Sequence, residues 1–326
     1  MKVTYISWAE SCSRSDNTAR ELGGKSHLVY LAKLGSHPAT ILFKYFGQSV
    51  MTWRKLKKDR PEAVFVMSPP VIAAIPVYLY CKRKKIPFVI DAHTGAFLHP
   101  RWVKFQWLQR FFSRKAATTI VTNNHLKKMV EDGGGHATIV RDVPVKYNIE
   151  EQYPLNGKVA IAAVCSFTPD EPILEIFDAA RKVDGVHLYM TGKYKDLDPE
   201  IAKQKPDNVT FTGFIPDAQY GSLISDADAV LALTTRDHTM LRAAYEAIYH
   251  GTPVIISDWP LLRESFDRGA IHTDNSAASI SAAIEEIKNH KEKYREDALA
   301  LQSKKYRDWA MSKQALADRV NSYAWY

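Results

Sequence analysis

The segment Thr234–Asp258, TTRDHTMLRAAYEAIYHGTPVIISD, concentrates residue types that can hold a charged ligand. A strand ends near Thr235 and a polar loop, Arg236-Asp237-His238, follows. Thr239 is placed to cap a helix that runs to His250, where Gly251 ends it. The backbone N–H groups of Met240, Leu241 and Arg242 at that helix start then form a site for a diphosphate. Glu246 lies about 8–9 Å further along at 1.5 Å rise per residue, the span from a diphosphate to a ribose. Its carboxylate can accept both ribose hydroxyls. The same spacing fits an ordinary surface helix with one buried glutamate equally well. Metal chemistry has no comparable signal. The eleven histidines form no HExxH, no DxD carboxylate pair follows a strand, and the GGG at 133–135 lacks the Lys-Ser/Thr of a P-loop.

YEAIYHGTPVIISD (245–258) resembles the nucleotide-sugar glycosyltransferases with the GT-B fold, in particular glycosyltransferase family 4. That family carries two acidic residues separated by seven others, the second of which binds the nucleotide ribose. Glu246 matches the second position. The first falls on His238, preceded by Asp237, so the sequence departs from the pattern there. FTGFIPDAQYGSLISDADAVLAL (211–233) resembles the family's strand, glycine and base-binding turn, which implies that the backbone near Phe214 and Ile215 holds the base. VCSFTPDEPILEIFDAARKV (164–183) stands where the family supplies an Arg and a Lys to the diphosphate. Neither is present in that loop. Ser166, Thr168 and a helix start near Asp170 are available instead, closer to the dolichol-linked β-mannosyltransferases, with Lys193, Lys195 and Arg236 as substitute cations. GT-B enzymes commonly use helix dipole and basic side chains rather than a metal, so no cofactor is expected.

PFVIDAHTGAF (87–97) resembles the family's strand that ends in a cleft histidine followed by glycine. The resemblance implies that His93 and Gly95 face an acceptor or the transferring sugar. Asp91 would orient His93, or itself deprotonate an acceptor hydroxyl. SCSRSDNTARELGG (11–24) takes the place of the acceptor-side loop, with Arg14 and Ser15 as acceptor contacts.

The elements that must position these groups form two successive α/β patterns. Strand-like runs at 2–8, 27–32, 63–68, 87–91, 118–123 and 137–142 alternate with helices around 43–59, 71–85, 100–116 and 124–132. A second series, 159–167, 186–192, 208–214, 229–235 and 253–258, alternates with helices at about 172–182, 217–225, 239–250 and 277–291. Nearly continuous apolar strands between helices indicate parallel sheets covered on both faces. The expected fold is GT-B: two Rossmann-like doubly wound domains facing a central cleft. Residues 1–150 make an acceptor domain and 151–305 a nucleotide-sugar domain, joined through a linker at 143–158. The aromatic tail 306–326, with Trp309, Tyr323, Trp325 and Tyr326, packs back on the first.

Composition excludes several classes. With 46% hydrophobic and 25% charged residues the chain is neither disordered nor collagen-like, and its longest apolar run, Pro70 to Cys81, is too short to span a bilayer. Cys12, Cys81 and Cys165 are too few and too scattered for a disulfide scaffold. The start MKVTYISWAE lacks the apolar region of a signal peptide, so a cytoplasmic protein is expected. Charge is segregated: residues 1–150 hold 24 Lys and Arg against 10 Asp and Glu, and the remainder 20 against 26. The basic half therefore meets an anionic partner. HPRWVKFQWLQRFFSRKAA (99–117) reads as one helix with two apolar stripes, one for the core and one, Trp107 and Phe111, bordered by Lys104, Arg110 and Arg114. That second stripe suits an anionic membrane surface. The expected function is sugar transfer from a nucleotide sugar to a lipid-linked or glycan acceptor at the cytoplasmic membrane face. The alternatives are a GT-B nucleotide-sugar 2-epimerase and a non-catalytic basic nucleic-acid-binding protein. No nucleic-acid module is recognisable, so nucleic acid is not an expected partner.

Overall fold

Runs that are apolar at nearly every position can only be strands with both faces covered, and the structure places them so. The computed structural model describes residues 2–32, 38–156 and 159–325. Strands β1 (Val3–Ser7), β2 (Lys25–Leu28), β3 (Ala63–Ser68), β4 (Phe88–Ala92), β5 (Thr118–Val121) and β6 (Ala137–Ile139) form one sheet in the order β2-β1-β3-β4-β5-β6. Strands β7 (Val159–Val164), β8 (Val186–Thr191), β9 (Val209–Gly213), β10 (Ala229–Ala232), β11 (Val254–Ser257) and β12 (Ala270–Thr273) form another, ordered β12-β11-β10-β7-β8-β9. Every pairing is parallel. The chain reverses its direction across the first sheet between β1 and β3, and across the second between β7 and β10. In a doubly wound sheet the loops diverge at such a point and leave a crevice at the strands' carboxyl ends.

The two sheets belong to separate units, Met1–Val143 with Asp308–Tyr326, and Pro144–Arg307. The helix Lys291–Asn321 serves both, passing from the second to the first at Asp308. Residues 143–156 contain neither helix nor strand, while Gly157 and Lys158 of the expected linker lie outside the described residues. The tail's aromatics are built into the first unit. Trp309 is buried with Val3, Tyr5 and Phe65. Trp325 stacks on Phe88 with ring centres 6.1 Å apart and donates Nε1–H to the Ile86 carbonyl at 2.9 Å. Tyr326 lies outside the described residues.

Three local expectations differ from the structure. The strand expected at 27–32 is Lys25–Leu28, a short edge strand whose residues are only partly covered. The loop expected at 11–24 contains the helix Ser13–Glu21, whose polar sequence SRSDNTARE shows no apolar stripe of the usual kind. The single helix expected over 100–116 is divided into Pro100–Val103 and Gln106–Lys115. Trp102 and Phe105 pack at the break with ring centres 6.0 Å apart, and Phe105 joins Leu108 and Phe112 against the core of the first unit.

A large aromatic so placed dominates its surroundings. Trp309→Ala should cost about 3–5 kcal/mol of stability by loss of packing, read as a lower urea midpoint. An unchanged midpoint would show that the tail is not part of the first unit's core.

Candidate functional site

The β7–β10 crevice is where the second unit gathers its polar groups. The loop after β7 passes through Phe167, whose φ of 55° is left-handed. Glu171 turns its carboxylate back onto this loop and accepts the Ser166 N–H at 2.9 and 3.0 Å and the Thr168 N–H at 3.3 Å. Asp170 reaches the other way, to the loop after β10. Its carboxylate accepts Thr234 Oγ1–H at 2.9 Å and pairs with Arg236 at 3.2 Å, and its carbonyl accepts the Thr235 N–H at 2.7 Å. Burial works against this charge, yet hydrogen bonds from Thr168 and Thr234 and the Arg236 guanidinium hold the Asp170 carboxyl below the usual range.

Thr234 is itself fixed from the far side. Its N–H donates to Ser257 Oγ at 2.8 Å, and its carbonyl accepts from Trp259 Nε1 at 3.0 Å and Asn275 Nδ2 at 3.1 Å. The backbone of β8 also presses on the crevice: a Cβ at Gly192, where φ is 116°, would lie 1.9 Å from the Cys165 carbonyl oxygen. Only glycine fits there.

The helix expected from Thr239 begins three residues later. It spans Arg242–Tyr249, with Leu241 as an uncapped N-cap. A turn at Asp237-His238, with His238 at φ 57°, consumes the intervening chain. Met240 and Leu241 pack against the core of the unit. The backbone donors at the helix start therefore begin with Arg242, and Thr239, Met240 and Leu241 contribute none as helical amides. On this helix Glu246 is 5% exposed. One of its oxygens accepts from Arg242 Nε at 2.7 Å and the other from Tyr220 Oη at 2.8 Å. Tyr147 completes the group, its ring edge-on to Tyr220 and stacked on His250. Burial and the Glu246 charge push both phenols upward, so each stays a proton donor. A carboxylate has about four acceptor positions; Arg242, Tyr220 and Tyr147 together take three of them.

The remaining donor-side residues spread outward. Phe214 follows β9 and is 82% exposed, whereas Ile215 packs partly on the core. Lys193 sits at the end of β8 and pairs with Asp196 at 3.0 Å; Lys195 is exposed in the following turn. The helix expected near Asp170 starts at Ile173. The contributions of Tyr147, Tyr220 and Glu171 had no sequence signal, since each acts through a partner fixed by the fold. Arg242 had one: it stands four residues before Glu246, a helical ion-pair spacing.

In the first unit, Asp91 on β4 is 1% exposed. It accepts Tyr5 Oη–H at 2.7 Å and pairs with Arg14 Nε at 3.2 Å. Arg14 also donates to the Val140 carbonyl at 3.1 Å and lies 3.8 Å from Asp142. Burial opposes the Asp91 charge, but Arg14, then His93, and the Tyr5 and Arg14 hydrogen bonds hold its carboxyl below the usual range. A base must reach the proton it takes. Asp91 is therefore corrected from a base to a buried electrostatic partner of His93. Arg14 and Ser15 are corrected likewise: Arg14 is spent on Asp91, and Ser15 is fully buried with its hydroxyl 2.6 Å from that of Ser7. His93 stands at the N-cap of the helix Thr94–Leu98, its N–H bonded to the Ser68 carbonyl at 2.8 Å, and Gly95 follows with open space at its Cα. Elsewhere on this unit Trp107 is 67% and Phe111 42% exposed, and Lys104, Arg110 and Arg114 of the same segment are exposed too.

Comparison with known proteins follows the geometry. Residues 149–300 match the family described as Glycosyl transferases group 1. No curated protein sequence matches the chain. Among solved structures, Anabaena HepE in complex with UDP and glucose is similar with a TM-score of 0.71 and 13% identity, over 99% of this chain and 100% of that one. Sucrose-phosphate synthase from Thermosynechococcus elongatus is similar at 0.67 and 12%, over 97% of each chain. A putative UDP-N-acetylglucosamine 2-epimerase from Listeria monocytogenes follows at 0.59 and 12%, over 92% of this chain and 90% of that one. The fold is GT-B.

The Asp91–Arg14 pair carries a pH signature. A carboxyl depressed on folding adds stability above its unfolded pKa of about 3.9, and that stability is lost as pH falls through the folded value. Asp91→Asn, which leaves Arg14 only the more distant Asp142 at 3.8 Å as counter-charge, should cost no more than about 3–5 kcal/mol at pH 7. In urea titrations the deficit should shrink below about pH 4. A deficit constant from pH 7 to 3 would mean that the Asp91 charge contributes nothing.

Proposed function

We propose that this chain, a GT-B protein whose residues 149–300 match the group 1 glycosyl transferases, is a nucleotide-sugar glycosyltransferase that acts on a lipid-linked or glycan acceptor at an anionic membrane face. The observation that carries the reading is the β7–β10 crevice with Glu246 set back from it on the helix Arg242–Tyr249. Glu246, held by Arg242 and the two tyrosines, is the group assigned to the ribose hydroxyls, which would take over positions now filled by the phenols. Phe214 and Ile215 lie beside the base, and Ser166, Thr168, Arg236, His238 and Arg242 border the diphosphate. The diphosphate is the leaving group, and charge on it develops as the sugar departs. Preorganised amides and guanidinium groups stabilise that charge in place of a metal. HepE in complex with UDP and glucose supports a nucleoside diphosphate sugar as donor.

The acceptor is assigned to the first unit, with His93 as the group that contacts it and Gly95 leaving room. Membrane association is assigned to Trp107 and Phe111. Trp107 and the partly exposed Phe111, on a segment that also carries the exposed Lys104, Arg110 and Arg114, are suited to shallow insertion at a headgroup layer. Among the described residues no helix is long and apolar enough to cross a membrane.

A thermal-shift screen of nucleotides tests the donor. A nucleoside diphosphate at 100 times its Kd should add about 2.7 kcal/mol. Glu246→Ala should abolish most of that gain, and equal binding by wild type and variant would sink the ribose assignment. In a transfer assay His93→Ala should lower turnover about a hundredfold with little effect on donor affinity. Turnover without any acceptor would point to epimerisation instead.

Cosedimentation with liposomes tests the membrane reading. Trp107→Ser should reduce binding to anionic vesicles and leave the melting temperature nearly unchanged, because its side chain is 67% exposed. Phe111→Ser, which also removes ring contacts with Tyr78 and Phe112, should lower both. Equal binding to neutral and anionic vesicles, or none to either, would remove the membrane from the proposal.

A further inference from the structure

Each positive feature bordering the β7–β10 crevice is met by one of the chain's own carboxylates. Arg236 is paired with Asp170, and Arg242 with Glu246. The third feature is made of backbone. The left-handed Phe167 turns the successive N–H groups of Ser166, Phe167 and Thr168 toward one point, and Glu171 fills it. Convergent backbone N–H groups of this kind bind anions, phosphate oxygens included. The loop that forms them is the one whose place in the family pattern implies diphosphate contact, and here it carries no Arg or Lys.

We propose that Glu171 is a resident substitute for the donor's phosphate: its carboxylate occupies the Ser166–Thr168 amides in the unliganded protein, and the diphosphate displaces it. The inference rests on the reading of the second unit as the donor domain. It gives the loop a diphosphate-binding capacity that its side chains lack, and makes Glu171 a determinant of donor affinity.

Three observations favour displacement over a permanent staple. Ser166 and Thr168 are exposed, so a soluble anion reaches the amides without unfolding. Glu171 borders an open cavity of about 320 Å³ along Thr168 and Leu197, which leaves the departing side chain room. Burial also pushes the Glu171 carboxyl up against the pull of the three amides, and the neighbouring Asp170 charge adds to the push. The ionised side chain is held at a cost that its departure would relieve.

An internal competitor lowers apparent affinity by the fraction of molecules it leaves open. If nine in ten hold the carboxylate in place, neutralising it should tighten binding about tenfold. Calorimetry on the full chain would compare wild type, Glu171→Gln and Glu171→Ala with UDP, GDP, ADP and dTDP and with the matching nucleosides. A diphosphate should bind both variants several-fold more tightly than wild type, with nucleoside affinity unchanged. Binding by the variants alone would support the proposal further. Unchanged or weaker diphosphate binding in the variants would overturn it, while binding by wild type would keep the donor-domain reading. Loss of cooperative melting in both variants would make Glu171 a structural staple and equally overturn it. Absence of diphosphate binding in all three proteins would overturn both.

Discussion

Asp170 stitches together the two strand ends at which the second sheet changes direction. Its carboxylate holds the Thr234 hydroxyl and its carbonyl holds the Thr235 N–H, so the loop after β7 cannot part from the loop after β10. Ser257, Trp259 and Asn275 clamp Thr234 from the side of β11 and β12. A crevice at a reversal point exists because successive loops turn opposite ways; left alone, such loops would be free to open. Here one buried threonine and one aspartate fix the width. The amide cluster lies directly before this tie and the helix bearing Glu246 directly after it, so both inherit their positions from it.

The first unit solves a different problem with similar chemistry. Tyr5 on β1 and Asp91 on β4 meet across β3, and Arg14 supplies the charge that makes a buried carboxylate tolerable. The desolvation of such a pair is costly, and its Coulomb attraction and hydrogen bonds must offset that. The five contacts of Arg14, to Asp91, Asp142 and the carbonyls of Val140 and Arg141, do so by using most of the guanidinium's donors. The pair is thus a support under His93.

What was legible in the sequence follows from what the physics writes locally. Apolar runs such as Ala63–Ser68 and Val186–Thr191 announce buried strands, because a parallel strand covered on both faces has no place for polar residues. The strand Ala270–Thr273 carries only four residues, three of them partly exposed at the sheet edge, and left no such mark. Glu246 was legible through its place before Gly251-Thr252-Pro253. Its neighbours Tyr220 and Tyr147 were not, because they stand 26 and 99 positions away and meet it only through folding. The helix start was misjudged for a nearer reason. A capping residue itself sits in extended backbone immediately before the first helical turn, and after the left-handed turn at His238 that place falls on Leu241 rather than Thr239.

The charge balance of the chain bears on how such a site can work. Residues after 150 hold more acid than base, so their summed field opposes an approaching diphosphate rather than steering it. That field fades over about 8 Å at physiological salt, whereas an amide or guanidinium in contact acts undiminished. An anion bound by this unit would therefore owe its affinity to directed donors at the crevice and not to net charge. Asp170, Glu171 and Glu246 lie directly against those donors and neutralise them at contact range. Acid in the wrong place by net charge is, at short range, what lets the fold keep its positive groups together.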